Sequence, residues 1–307
     1  MTGPARKGAD LLFVLGLALF WGLNWPAVRT ALDELPPWTL RSTGMGAGAL
    51  FLMALAAMQG ARLRLRAGEW LPILGSGFLA ITAFNLLLAF AQLAAPTSRA
   101  VIITFTMPVW TVLFARLILG ETLDRPRIAG LGLGVAGLIS LGWPLIAAGE
   151  LSHGLVLALL AGMSWALGTV LIKRFPVAAP PVTITAWQLV AGALVAGIGM
   201  LVFEPEVIAG SIRWRELQGR TWAALGYHIL FSQALAYLIW YRLLARLPAG
   251  TISLSMLLVP AIGVISSILV LGERPGMADL IGLVLMTAAA AAVNLPWRWR
   301  PRRSARI

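Results

Sequence analysis

The side chains with chemistry to offer lie inside long apolar runs. Trp21 and Asn24 stand three residues apart. Thr82, Asn85 and Gln92 make a second stripe, with Phe78 a turn before it, and Gln233, Tyr237 and Trp240 make a third. Residues three or four apart share one face of a helix, so each set is expected to form one polar stripe. Thr104 and Trp110 flank Pro108, Ser253 and Ser255 precede Pro260, and Ser164 adjoins Trp165. Amides, hydroxyls and indole rings bind; alone they do no acid–base work. No Asp, Glu or Lys lies near the middle of any run, and cysteine is absent. Clustered His, Asp and Glu of the kind that metal or acid–base chemistry needs are also missing. No catalytic residue, metal ligand or cofactor is therefore expected. Polar groups facing lipid are costly, so these should face the interior or a wet cavity. Such a cavity suits a small zwitterion or neutral metabolite with an apolar side chain. The solute's charges would be met by helix ends and by carbonyls freed at kinks. Two plainer roles compete: Ser and Thr often bond their own backbone, and Trp is common in interfacial belts.

His228 is the one titratable side chain well inside a run, about 9 Å from its end at roughly 1.5 Å per residue. A neutral, hydrogen-bonded packing role is expected ahead of proton carriage. No run holds a carboxylate near its middle to titrate, so if the chain carries a solute across a membrane, uncoupled movement down the solute's own gradient is expected.

These stripes need helices to carry them. The chain has 307 residues, 59% hydrophobic and 12% charged, with a mean hydropathy of +0.86. Soluble domains carry about 25% charged residues. The class is an all-α polytopic membrane protein. A span needs about 20 mostly apolar residues, and ten candidates are found, at 10–31, 39–59, 70–93, 98–119, 127–147, 152–173, 182–203, 221–246, 250–271 and 277–296. The runs are long and continuously apolar and do not alternate, which favours helices over a barrel. The first follows Arg6 and Lys7 and could imitate a signal peptide, but no small-residue cleavage site follows, so it is read as a retained span.

The net charge of +12 is spread in short clusters between the runs, which argues against nucleic acid and for the positive-inside rule. Ten spans put both termini on one side. Arg29, Arg41, Arg99, Arg213, Arg215, Arg220 and Arg274 then fall outside, and the other 17 of the 24 Lys and Arg residues fall inside. Both termini are expected in the cytoplasm. The preference for arginine over lysine is a compositional hint of a GC-rich bacterial genome; the expected location is the bacterial inner membrane.

The runs also repeat. Pro96, Pro108 and Gly120–Glu121 recur 152 residues later as Pro248, Pro260 and Gly272–Glu273. Trp21, Leu23, Pro36–Pro37, Thr39 and Gly48–Ala49–Leu50 recur 144 residues later as Trp165, Leu167, Pro180–Pro181, Thr183 and Gly192–Ala193–Leu194. The domains read as 1–149, a first five-helix repeat; 150–296, a second; and 297–307, a basic cytoplasmic tail expected to meet anionic lipid. An odd number of spans per repeat makes the second enter from the opposite face, the inverted arrangement of many transporters. Pro108 and Pro260 are expected to kink their helices, as paired hinges or as static packing kinks.

Trp21, Gly22 and Asn24 in the first helix, with a central proline and a Gly-Glu ending in the fourth, resemble the EamA-type branch of the drug/metabolite transporter superfamily. Nearly the whole chain resembles it, most of all the YddG-type aromatic amino-acid exporters. The resemblance implies ten helices, cytoplasmic termini, alternating access and a central cavity lined by helices 1, 3, 4, 6, 8 and 9. The second repeat carries Ala166 and Gly168 where Gly22 and Asn24 stand, so Asn24 has no symmetric partner. Small multidrug antiporters of the superfamily use a first-helix glutamate, and nothing corresponds here.

Export of amino acids, aromatic or otherwise neutral, is the expected function. A drug or other metabolite exporter is the alternative, ahead of a membrane-embedded enzyme or a channel. The expected partners are a small-molecule substrate and the lipid bilayer. Glu121 and Glu273 close their helices where the dipole disfavours an anion, so each should find a compensating partner. Gly130 and Gly134 make a GxxxG step in a helix expected to brace the moving ones, or to form a dimer face.

Overall fold

The computed structural model describes residues 4–95, 97–147, 153–208, 210, 212, 214–271 and 277–294, and all regular structure among them is helical. Pro96, Gly272–Glu273, Arg213, Arg274, the 149/150 repeat boundary and the 297–307 tail lie outside the described residues. The order is α1 (Pro4–Gly22), α2 (Asn24–Ala31), α3 (Pro37–Met58), α4 (Trp70–Gly77), α5 (Phe84–Ala94), α6 (Thr97–Thr104), α7 (Met107–Phe114) and α8 (Arg125–Ala147). It continues with α9 (His153–Arg174), α10 (Pro181–Phe203), the short α11 (Pro205–Ile208), α12 (Gly219–Tyr227), α13 (Tyr237–Leu244), α14 (Ala249–Ser255), α15 (Leu258–Leu271) and α16 (Met277–Asn294).

Among the described residues, six helical stretches are long and apolar enough to cross a bilayer: Leu11–Ala31, Pro37–Met58, Ala67–Ala94, His153–Arg174, Pro181–Phe203 and Gly219–Leu244. Met107–Leu119, Thr251–Gly263 and Leu280–Ala289 are shorter apolar helices. Leu50, Leu71, Leu117, Leu194 and Leu269 point outward and are exposed, as a lipid-facing surface requires. The chain is a multi-pass membrane protein.

Prolines decide where helices start and break. Pro37 and Pro181 open α3 and α10 after Pro36 (φ −62°, ψ 153°) and Pro180 (φ −60°, ψ 148°) in extended backbone. Proline suits a first helical turn because its missing N–H has no partner there. Inside a span, proline cannot serve the carbonyl four residues back. Pro26, Pro108 and Pro260 fail Gly22, Thr104 and Met256, and the chain leaves the α-helix at Leu23, at Phe105–Thr106 and at Met256–Leu257. The runs 98–119 and 250–271 are thus two helices each rather than one kinked helix, and Pro108 lies in the first turn of α7. Gly162 allows this packing, because a Cβ there would stand 2.7 Å from the Thr104 carbonyl oxygen. Gly120 closes the next turn in the left-handed region at φ +69°, where a side chain would be strained.

α3 and α10 pack antiparallel along their length. Trp38 at the start of α3 stacks on Phe203 at the end of α10, and Met45 fits against Gly192. α8 packs against α16, with Gly134 facing Leu257 and Ala289. Beside α4 and α12 the backbone widens into π-helical turns at Phe78–Ala83 and His228–Ala236. Such turns release backbone from the regular ladder and recur at functional sites.

Candidate functional site

A buried polar cluster fills the middle of the bundle. Asn24 Oδ1 lies 2.8 Å from His228 Nδ1. His228 Nε2 lies 3.2 Å from Gln233 Nε2 and 3.4 Å from Arg41 Nη1. Arg41 Nη1 and Gln233 Nε2 each donate to Asn85 Oδ1 at 3.1 Å. Asn85 Nδ2 then donates to the Ile81 carbonyl at 2.8 Å and to the Tyr237 hydroxyl at 3.0 Å. One hydrogen pattern satisfies the ring. Nδ1 of a neutral His228 donates to Asn24, and Nε2 accepts from Arg41 and Gln233. A proton on Nε2 would turn that atom into a donor facing a guanidinium and an amide nitrogen. This geometry favours the packing role for His228.

Arg41 does not belong with the outer loop arginines. It lies in the second turn of α3, buried with 1% exposure. No Asp or Glu among the described residues pairs with it. The helix end it sits near is neutralised from elsewhere. Glu204, just past α10, accepts from Trp38 N at 2.9 Å, Thr39 N at 2.8 Å and Thr39 Oγ1 at 2.7 Å. A carboxylate at a helix N-terminus meets orphan N–H groups and the positive end of the dipole.

Next to the cluster is a narrow cavity of about 50 Å³, counted as the space open to water centres. Trp21, Asn24, Trp25, Val28, Arg41, Asn85, Gln92, Phe105, Met107, Trp165, Ser232 and Tyr237 line it. One water needs about 10–15 Å³ by that measure, so the cavity takes a few waters. A metabolite enters only if the walls move apart. Aromatic rings form one wall: Trp21 meets Trp165 edge-on at 6.4 Å and Tyr237 at 5.3 Å, and Trp165 lies 4.5 Å from Trp240. The residues come from both halves of the chain, and from the half of the bundle that holds the α2–α3 connection.

Of the residues expected at a cavity, Trp21, Asn24, Asn85, Trp165 and Tyr237 line it, and Gln233 belongs to its hydrogen-bond ring. The others sit elsewhere. Phe78 is half-exposed at the start of its π turn. Thr82 is buried against α10 beside Gly192. Thr104 Oγ1 lies 3.5 Å from the Ala158 carbonyl of α9, and Trp110 Nε1 donates to Thr106 Oγ1 at 3.3 Å. Ser253 is buried, and Ser255 Oγ donates to the Thr251 carbonyl at 2.9 Å, the local backbone bond typical of helical serine. Pro108 and Pro260 are buried just after their helix breaks. The π turn at Phe78–Ala83 and the break at Phe105–Thr106 shift Phe78, Thr82 and Trp110 from the register of an unbroken helix.

Polar contacts link the helices at the far end of the bundle. Glu121 Oε1 accepts from Ala249 N at 2.9 Å, capping α14. This is the compensating partner Glu121 needs. Arg127 Nε donates to Thr251 Oγ1 at 2.9 Å, and Lys173 Nζ donates to the Leu247 carbonyl. Among the described residues, no His, Cys, Asp and Glu group could hold a metal.

The profile of the EamA-like transporter family matches residues 9–143 and 152–295. The chain belongs to the EamA-like transporter family. It is 30% identical over 295 residues to the uncharacterized transporter YvbV of Bacillus subtilis (strain 168), covering 94% of this chain and 92% of that one. It is 25% identical over 303 residues to a probable amino-acid metabolite efflux pump of Salmonella typhimurium, covering 97% and 98% of the two chains. A solved crystal structure shares the fold with a TM-score of 0.75 at 21% identity, over 94% of this chain and 98% of the other.

Proposed function

We propose that the chain is an alternating-access exporter of amino acids in the bacterial inner membrane. It has ten spans, arranged as two inverted five-helix repeats with both termini in the cytoplasm. One observation carries this reading: a buried cavity with polar groups in its wall lies between the two halves of the chain and draws its lining from both. The antiparallel packing of α3 and α10, which are counterparts at offset 144, supports the inversion. So does the match of one family profile to each half. The charge asymmetry supports cytoplasmic termini, and the name of the Salmonella relative supports amino-acid metabolites as substrates. The ring wall of Trp21, Trp165 and Tyr237 favours an aromatic or large apolar side chain, as the YddG-type resemblance implies. The neutral bonding of His228 favours uncoupled transport.

Counterflow in proteoliposomes tests the proposal. Vesicles loaded with unlabelled phenylalanine or leucine should transiently accumulate the labelled amino acid, with saturation. Linear, non-saturating flux would mean a pore. Exchange of lipophilic drugs without any amino acid would favour the drug-exporter alternative.

A further inference from the structure

Much of the central cluster closes on itself, but Gln233 Oε1 and one edge of Arg41 do not. Arg41 uses Nη1 for Asn85 and His228. Its Nε and Nη2 are buried and have no hydrogen-bond partner among the described residues. These two nitrogens form one edge of the planar fork, the edge that meets both oxygens of a carboxylate side by side. Arg41 lines the cavity, and so does Gln92, whose amide oxygen and nitrogen are likewise buried without partners. A desolvated guanidinium edge with neither counter-ion nor acceptor is costly. Membrane helices rarely keep such a cation unless it faces a pathway and meets a partner there. Among the described residues, no Asp or Glu forms an ion pair with Arg41. Glu204 is committed to the start of α3 through three hydrogen bonds.

We infer that the Nε–Nη2 edge of Arg41 is the binding site for the carboxylate of the transported solute. The inference rests on the transporter reading above and names the chemical class of its substrate: a monocarboxylate whose apolar or aromatic body lies along the Trp21–Trp165 wall. Asn85 and His228 are positioning residues, because they hold Nη1 and fix the plane of the fork. Gln92 Oε1 is the acceptor for the solute's ammonium group. The cavity must widen to admit the solute, so the site acts in the open and loaded states of the cycle.

Titration calorimetry on the purified full-length protein tests this with L-phenylalanine, 3-phenylpropionate and L-phenylalaninamide. A two-pronged charge-assisted contact corresponds to about 10- to 100-fold in affinity. The wild type should bind the two acids tighter than the amide by about that factor. Arg41→Gln should remove the preference while leaving amide binding in place. Arg41→Lys, which keeps the charge and loses the fork, should reduce it. Equal binding of acid and amide by the wild type overturns the inference, and so does an Arg41→Gln protein that keeps the preference. If Arg41→Gln does not run as a monodisperse species in detergent, the wild-type comparison and Arg41→Lys decide. Saturable amino-acid counterflow with acid and amide bound equally would leave the transporter reading standing and remove the carboxylate site. Binding of 3-phenylpropionate that depends on Arg41, with no amino-acid counterflow, would do the reverse. No binding of either acid overturns the site.

Discussion

The Asn85 side-chain amide donates to the Tyr237 hydroxyl across 3.0 Å, and the two residues are 152 positions apart. That is the offset at which the second part of each half repeats. Trp21 and Trp165, counterparts at offset 144, also touch. Equivalent positions therefore meet at the centre of the bundle, where the proposed two-fold relation would place its axis. Tyr237→Phe removes this cross-half bond. Interhelical hydrogen bonds in membrane proteins are worth about 0.6 kcal/mol and rarely above about 1.7. The variant should lose roughly that much stability in detergent unfolding, and its counterflow rate should fall further than its stability, because Asn85 also orients Arg41.

Glu204 ties the start of α3 to the end of α10 through three hydrogen bonds. Glu204→Ala frees two backbone N–H groups and a buried hydroxyl. Loss of a helix cap costs about 0.5–2 kcal/mol. The midpoint of thermal unfolding should drop measurably, and Glu204→Gln, which keeps one acceptor, should fall between the two.

Pro108 follows the break between α6 and α7, and its substitution by alanine allows a bond to the Thr104 carbonyl. If the break is a hinge, Pro108→Ala should fold at least as well as the wild type and transport more slowly. Paired measurements of thermal unfolding and counterflow separate this from a static kink, for which the rate would be unchanged.

His228 accepts from Arg41 in the cluster, so protonation of Nε2 would cost that contact. Uncoupled transport predicts that an imposed pH gradient between about pH 6 and 8 drives no accumulation of labelled amino acid in proteoliposomes. Uphill uptake that follows the gradient and disappears in His228→Ala would assign His228 the proton.

The membrane class and the central residues Asn24, Asn85, Trp165 and Tyr237 were legible in the sequence, because an amide or ring amid continuous apolar residues has few places to go. Arg41 was not. It falls near the start of the run 39–59, where boundary error cannot separate a loop arginine from a buried one. The available signal was the preceding Pro36–Pro37, which fixes the helix start four residues earlier. Phe78 and Trp110 were misplaced for a different reason. Face assignment assumes 3.6 residues per turn, and the π turn at Phe78–Ala83 and the break at Phe105–Thr106 shift the register. Backbone irregularity of that kind leaves no periodic trace. Glu204 sits at the rim, where a carboxylate looks like any solvated end residue until its partner helix is in place.

The offsets also pair unlike residues. Ser76 corresponds to His228, Gly44 to Gln188 and Arg41 to Thr185. Gln188 bonds Ser76 at 3.1 Å, while a Cβ on Gly44 would stand 2.7 Å from the His228 ring. Large faces small in both places, with the order exchanged, so volume is conserved there, while Arg41 against Thr185 leaves a charge in one half alone. An uncoupled carrier at zero net driving force must have the same Vmax/KM in both directions. If the fork of Arg41 holds the solute more tightly at one membrane face, the KM values differ, and the Vmax values must differ by the same ratio. Such a protein would fill readily from one compartment at low concentration and saturate early there. From the other it would keep accelerating, with no energy source required to make the two sides kinetically unlike.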